Sequence, residues 1–239
     1  MINKQITINE CRSDQLLLNL EEETSSLHIL LNKNSYLNLG LLNFQKGQKN
    51  KIEIDVLESS ELELALADFS LGSTSLELKI NLKEKGARAS LKLATLSRHK
   101  DEKKFNIFFN HLAPKTYAEM DNYGVARHES KLIFSGANEI INGAIKSKTS
   151  QKAKIIVFDP LASGKANPYL NIYENDVMAS HAAVVGKLSE DHLFYLMSRG
   201  LNIEEAKKLI TYGYLMPIAQ YFKDVDLKAK ITLSIEEQL

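Results

Sequence analysis

The stretch NPYLNIYENDVMASHAAVVGKLSEDHLFYLMSRG, which runs from Asn167 to Gly200, contains the point where the hydrophobic periodicity of the chain changes. In its first half the apolar residues Leu170, Ile172 and Val177 are separated by polar ones, as in a half-buried strand. In its second half the apolar residues recur at helical spacing. The sequence therefore predicts a β region over residues 1–187 and a helical region over residues 188–239.

The helical half carries both a start and a stop signal. Ser189 has a side chain that can cap a helix N-terminus. Leu193, Leu196 and Met197 follow at i, i+3 and i+4, which places them on one face of a helix. Gly200 then supplies a C-cap, and a first helix is predicted between these two signals.

A second helix is predicted directly after the first. Asn202 and Glu205 form a capping-box pattern at its start, and Gly213 is expected to end it. Pro217 is expected to open a third helix, because proline lacks only an N–H that is unpaired in the first turn anyway. Residues 227–239 alternate like a strand.

Upstream of this segment, from Lys4 to Lys187, apolar residues alternate almost throughout, with strand centres about every ten to fifteen residues. This regularity predicts an all-β sandwich, barrel or solenoid. Tight Asn-Gly turns, which are typical of hairpins, occur once, at Asn142-Gly143, and the chain contains 11 glycines and 4 prolines. Because a solenoid needs fewer tight reversals, the pattern favours a β-solenoid.

The composition is that of an ordinary globular protein, with 44% apolar and 25% charged residues in a chain of 239. Lys+Arg and Asp+Glu number 30 each, so the charge gives no reason to expect nucleic acid or a membrane surface as a partner. No apolar run approaches about 18 residues and MINKQITINECR has no hydrophobic signal core, which predicts a cytoplasmic protein. The single cysteine, Cys11, excludes an internal disulfide and an all-cysteine cluster cage.

Motifs for nucleotide or metal chemistry are absent from the sequence. No Gly-x-x-x-x-Gly-Lys-Ser/Thr loop occurs, so the chain is not expected to hydrolyse ATP itself. Neither the Gly-x-Gly-x-x-Gly dinucleotide motif nor the Gly-x-Ser-x-Gly elbow occurs, and no His-Glu-x-x-His or Cys-x-x-Cys pair supplies metal ligands. No catalytic residue is assigned, and the protein is predicted not to be an enzyme.

The 167–200 segment resembles the C-terminal signature of the SufB/SufD family, the scaffold proteins of SUF iron–sulfur cluster assembly, and its SufD branch in particular. The matching residues are Pro168, Leu170, Ile172, Asp176, Val177, Ser180, His181, Ala183, Val185, Gly186 and the run from Leu193 to Gly200. Ala179 stands where the family has a cysteine, and Ala182 where it has a glycine. The resemblance is specific over about residues 110–213.

The resemblance implies a right-handed parallel β-helix followed by a small helical C-terminal domain. It implies that residues 227–239 are helical, against their alternating pattern. It also implies a short form of the family that lacks an N-terminal helical domain.

The function that the resemblance implies is a non-catalytic scaffold subunit. It would pair with a SufB-like paralogue through the end of the β-helix and bind the SufC ATPase through the helices. No cofactor would be tightly bound, but a transient iron–sulfur cluster would form at the junction with SufB. His181 is the residue of this chain expected to bind its iron, because neutral imidazole is a good borderline ligand. The sulfur-handling cysteines would come from SufB.

The SufC interface is expected at Leu193, Phe194, Tyr195, Arg199, Tyr212 and Tyr214. A homodimer is the alternative state when SufB is absent. Two other functions stay open: a β-solenoid interaction module without iron–sulfur chemistry, to which the loss of the cysteine points, and, less favoured, a β-helix enzyme that acts on polysaccharide.

Overall fold

Two parallel β-sheets account for most of the chain. The computed structural model describes residues 3–20, 26–44 and 46–221, together with residues 229, 232 and 233. One sheet contains β1 (Asn3–Ile8), β3 (Ser26–Leu31), β5 (Lys49–Val56), β7 (Thr74–Leu82), β9 (Glu102–His111), β11 (Lys131–Ile140) and β13 (Ser163–Ile172). The other contains β2 (Ser13–Asn19), β4 (Tyr36–Asn43), β6 (Glu61–Asp68), β8 (Arg88–Ser97), β10 (Tyr117–Ala126), β12 (Lys148–Val157) and β14 (Met178–Lys187).

Consecutive strands alternate between the two sheets, so the chain winds as a coil instead of turning back on itself. Each strand pairs in parallel with the strand two positions away in sequence. Every turn of the coil therefore adds one strand to each sheet, and the core lies between the sheets. This is a parallel β-solenoid, which confirms the predicted fold class and shows that the sandwich and barrel alternatives are wrong.

The length of one coil increases along the chain. Asn3 lies opposite Ser26, 23 residues later, whereas Lys131 lies opposite Ser163, 32 residues later. The strands also lengthen, from 6 residues in β1 to 10 in β14. A repeat that drifts in this way keeps the period-2 alternation but has no constant length, so no strict repeat is visible in the sequence.

The corners between strands explain the scarcity of glycine. Seven non-glycine residues in the described ranges adopt positive φ, namely Cys11, Asn34, Ser59, His99, Lys115, His128 and Lys146. Left-handed backbone costs such a residue about 1–2 kcal/mol. Hydrogen bonds to the next coil offset part of this cost: the Asn34 N–H donates to the Glu58 carbonyl at 2.9 Å, and the Lys115 N–H donates to the Ile145 carbonyl at 2.8 Å.

The interior is filled by the inward-facing half of each strand. In β6, Leu62, Leu64 and Leu66 are buried, whereas Glu61 faces solvent. Each such leucine stabilises the fold by roughly 1.5–3 kcal/mol relative to an exposed one. Because every coil stacks these side chains on the coil before it, one apolar core runs through the solenoid.

The helical segment contains α1 (Glu190–Ser198), α2 (Ile203–Leu215) and a 3-10 helix (Met216–Tyr221). Both predicted N-terminal caps are confirmed. Ser189 Oγ accepts from the His192 N–H at 3.3 Å. Asn202 Oδ1 accepts from the Glu205 N–H at 2.9 Å, and the Glu205 carboxylate accepts from the Asn202 N–H at 2.8 Å. Gly200 follows α1 with φ +96°, as a C-terminal glycine should.

Three local predictions need correction. Gly213 does not end α2, which continues to Leu215; a single helical glycine costs only about 1 kcal/mol, less than the burial of that leucine contributes. Val177 does not belong to a strand and lies in the loop before β14. The predicted third helix is present as a 3-10 helix, but it begins at Met216, one residue before Pro217. The prediction for residues 227–239 lies largely outside the described residues.

The helical segment packs on the outer face of the sheet that contains β14. Leu215 and Ile218 are buried there against Phe69, Leu96 and Val125. α1 has no buried residue. The predicted boundary at 187/188 coincides with the end of β14, but the helices share their apolar cluster with the solenoid. No helix in the described part of the chain is long and apolar enough to span a membrane.

Candidate functional site

The last coil of the solenoid leaves one edge of each sheet open. Within the described ranges β13 pairs only with β11, and β14 pairs only with β12. Every residue of β14 except Gly186 is exposed. An unpaired strand edge presents a row of backbone donors and acceptors that another strand can use.

The register shows which backbone groups of β14 face this open edge. The N–H groups of Met178 and Leu188 both donate back toward β12, each at 3.0 Å. Donors alternate in direction along a parallel strand. The N–H groups of the odd-numbered residues in between, including His181 and Ala183, therefore point to the open edge.

His181 lies inside β14, within the predicted β region. It stands opposite Gln151 of β12, and Ala179 stands opposite Thr149. The side chains of Gln151 and Thr149 are buried. They belong to a column of inward-facing side chains that stack from one coil to the next. His181 and Ala179 continue that column onto the open end, where no further described coil covers them.

His181 can supply a single imidazole ligand at this end. No group of three or more His, Cys, Asp or Glu side chains within the described residues is arranged to hold a metal ion. Cys11 is exposed at the corner between β1 and β2, in the first coil of the solenoid.

A polar layer lies beneath the open end. Gln151 donates from Nε2 to the Tyr169 carbonyl at 2.9 Å, and Asn138 donates to Thr149 Oγ1 at 2.6 Å. Gly136 leaves room for the glutamine, because a Cβ there would lie 2.5 Å from its Oε1. These polar residues were not predicted from the sequence. Their sign in the sequence is a polar residue at a position where the alternation of a strand predicts an inward-facing side chain.

A second histidine, His111 at the end of β9, is fully buried in the same interior. Its Nδ1 lies 2.7 Å from Thr116 Oγ1, which in turn lies 2.8 Å from Ser147 Oγ. Burial lowers the pKa of His111 to about 4, so the imidazole is neutral at physiological pH.

The predicted SufC-binding residues fall into two groups. Those on and just after α1 face solvent: Phe194 is 75% exposed, Tyr195 is 57% exposed, and the Arg199 guanidinium lies 5.3 Å from the Tyr195 ring centre. Leu193 is half-buried at the base of this group. Met197, predicted on the helix's apolar face, is exposed beside them.

Tyr212 and Tyr214 of α2 instead pack against the solenoid. The Tyr214 ring meets Tyr123 of β10 edge-on with 5.7 Å between ring centres. Burial raises the pKa of Tyr214, which keeps its hydroxyl protonated. The structure therefore brings together the α1 residues as one exposed surface and separates the two tyrosines from it.

The fold and the site define a parallel β-solenoid protein with an open terminal coil, a histidine on that end and a helical segment packed on one face. The family model described as "SUF system FeS cluster assembly, SufBD core domain" matches residues 4–214, and the chain belongs to this family. The match extends well beyond residues 110–213 and confirms the resemblance seen in the sequence.

Several curated relatives are similar to the chain. It is 32% identical over 180 residues to the iron–sulfur cluster assembly protein SufD of Bacillus subtilis, which covers 75% of this chain and 41% of the relative. It is 29% identical to the SufD of Escherichia coli over 48% of this chain and 27% of the relative. It is 30% identical to the SufB of Bacillus subtilis over 58% of this chain and 30% of the relative. The chain thus spans less than half the length of these relatives.

Proposed function

We propose that this chain is a non-catalytic scaffold subunit of SUF iron–sulfur cluster assembly that pairs with a SufB-like paralogue. The observation that carries the proposal is the exposed edge of β14, whose backbone groups pair with no other strand in the described part of the chain. A paralogue of the same fold would present an equivalent edge, and two such edges can pair strand to strand.

His181 is the proposed iron ligand of this chain at the junction. Its ring lies on the open end of the inward column, next to the edge that the partner would cover. The cluster would be the cargo of assembly and not a resident cofactor. Because Ala179 offers no ligand and Cys11 lies in the first coil, sulfur ligands would come from the SufB-like partner.

α1 is the proposed docking element for a SufC-type ATPase. Phe194, Tyr195 and Arg199 form an exposed aromatic and cationic surface, which is the composition favoured at binding hot spots. Tyr212 and Tyr214 would act indirectly, by holding α2 on the solenoid.

An interaction module without iron–sulfur chemistry is the second candidate, and Ala179 favours it. Such a module would still pair through the edge of β14, but His181 would not be needed for its function. A polysaccharide-active enzyme draws no support from the family match. Cytoplasmic location, the absence of nucleic-acid or membrane partners, and homodimerisation without SufB stay predictions.

Co-expression with a SufB-like paralogue and affinity purification test the pairing. Ala183→Pro removes one N–H on the open edge while the ladder to β12 keeps its donors. Ala183→Val, the matched control, changes the side chain at the same position but keeps the N–H. We expect the proline variant to weaken pairing about tenfold or more, since the lost bond also interrupts its neighbours, and the valine variant to pair normally.

Circular dichroism should show that both variants retain a strand-dominated fold. Equal pairing of the proline and valine variants would place the interface elsewhere. Failure of the unmodified chain to co-purify with any SufB-like protein would contradict the scaffold proposal itself.

A further inference from the structure

Three corners place equivalent residues above one another in successive coils. His99 follows β8, His128 follows β10 and Asp159 follows β12. The His99 N–H donates to Nδ1 of His128 at 3.1 Å, and the His128 N–H donates to Oδ2 of Asp159 at 2.5 Å. In each step a side chain accepts from the backbone of the preceding coil. We call these three residues the corner ladder.

The ladder requires a neutral His128. A ring nitrogen that accepts a hydrogen bond must keep its lone pair, so the proton of the imidazole sits on Nε2. The His99 and His128 rings are stacked, with 5.0 Å between centres and 2° between planes, and both are exposed. His128 also has φ +58°, a conformation that histidine tolerates better than most residues.

The top of the ladder joins the solenoid to α2. Lys207 of α2 lies 3.7 Å from Asp159 and 3.2 Å from Glu204. Glu204 in turn lies 3.0 Å from Arg127, the residue before His128. Asp159 thus bonds to the backbone of His128 and also faces the first turns of the helix.

We propose that the corner ladder is a proton-sensitive clamp, which holds the first turns of α2 on the solenoid while His128 is neutral and releases them when His128 takes up a proton. A proton on Nδ1 would face the His99 N–H, so the donor would lose its acceptor. The new imidazolium would also attract Asp159 away from Lys207. This breaks one of the two ionic contacts that hold the first turns of α2 and leaves only the contact between Arg127 and Glu204.

The charges around His128 set the direction of the effect. Burial, Arg127 and His99 lower the pKa of His128, whereas Asp159 and Glu204 oppose this. The released form, with an ordinary histidine pKa near 6.5, therefore takes up the proton first as the pH falls. The closed form therefore predominates above about pH 6.5. Below this pH the equilibrium constant for closure falls, by at most about tenfold per pH unit for one such group.

Hydrogen–deuterium exchange of the full chain between pH 7.5 and 5.5, corrected for intrinsic rates, tests the clamp without any partner. His128→Asn is the decisive variant, because asparagine tolerates positive φ and its side-chain oxygen can accept from the His99 N–H without titrating. His192→Asn, on α1 and outside the ladder, is the matched control. Imidazole NMR titration of the unmodified chain gives the pKa of His128 independently.

We expect α2 amides of the unmodified chain and of His192→Asn to exchange several-fold faster at pH 5.5. The increase should begin near pH 6.5 and level off below the pKa that NMR gives for His128 in the intact chain. In His128→Asn this increase should vanish while the strands stay protected. An equal increase in His128→Asn, or no increase in the unmodified chain, overturns the clamp. Either result leaves the scaffold proposal untouched, because the clamp rests only on contacts within this chain.

Discussion

At the scale of single residues, position in the coil stack decides what a histidine can do. His111 and His181 both lie on inward-facing columns, and both belong to strands of ten residues. Coils on either side enclose His111, so burial holds it neutral. No described coil covers His181, so the same side chain is available to a ligand.

His181→Ala should leave the free energy of unfolding within about 1 kcal/mol of the unmodified chain, since an exposed side chain contributes little to packing. Cluster formation in a complex reconstituted with SufB-like and SufC-type proteins should nevertheless be lost, because iron would lack a ligand. His181→Cys should restore part of it, since thiolate also binds iron. His192→Ala serves as the control. Full assembly by His181→Ala would favour the plain interaction module.

His111 should make stability fall on acidification. Its folded pKa of about 4 lies below the ordinary 6.5, so the unfolded chain takes up the proton first, and stability is lost as the pH drops through this window. Between pH 7 and pH 5 the loss is about 2 kcal/mol. Urea unfolding measures this loss. Between pH 7 and pH 5 the free energy of unfolding of His111→Gln should fall by about 2 kcal/mol less than that of the unmodified chain, because the other titratable groups contribute equally to both proteins. Parallel pH curves for the two proteins would show that His111 does not titrate in this way.

At the scale of elements, α1 is capped at its start and yet buries nothing. Nine residues are too few for a stable isolated helix. Its order therefore depends on its capping bond and on contacts with α2. An amphipathic helix that leaves aromatic residues in water is consistent with a docking role, and α2 is the element that anchors it.

Phe194→Ala combined with Tyr195→Ala should weaken binding of a SufC-type ATPase about tenfold or more, because exposed aromatic anchors dominate such interfaces. Calorimetric titration measures the affinity. Thermal unfolding should be unchanged, since neither side chain is buried. Ile203→Ala combined with Leu209→Ala, also exposed but on α2, is the control pair. Equal losses in both pairs would place the interface on α2 as well.

At the scale of the whole molecule, the solenoid and the helical segment are coupled through one apolar cluster. Leu215 and Ile218 cover Phe69, Leu96 and Val125 on the outer face of the sheet. Removing the helices would expose this cluster, and contiguous exposed apolar surface promotes association.

Truncation after Lys187 should abolish binding of the SufC-type ATPase and keep a strand-dominated circular dichroism spectrum, because the internal core is retained. We also expect a lower melting temperature and dye binding at the bared face. Ala94→Lys together with Leu96→Lys in the truncated chain should suppress that dye binding. A truncated chain that melts as the full chain does would show that the helices contribute nothing to the solenoid.

The sequence by itself determined those features that depend on neighbours a few residues away. The caps at Ser189 and Asn202 each involve residues at most three positions apart, and the alternation of strand residues follows from the pleat alone. The segment that ends in Gly200 was therefore enough to locate the change from strand to helix. The family resemblance could be seen in the same segment, because its matching residues lie close together in the sequence.

Only the tertiary structure decided which residues meet across coils. Lys103 lies in the polar run SRHKDEKK, yet it is fully buried, with its Nζ 2.5 Å from Asp68 and bonded to the Ser70 carbonyl. The contact between His99 and His128 likewise joins two coils, and so does the pairing that places His181 opposite Gln151. Strand residues paired in neighbouring coils are 23 to 32 residues apart, and Lys103 and Asp68 are 35 apart. These separations are set by corner lengths that no local pattern encodes.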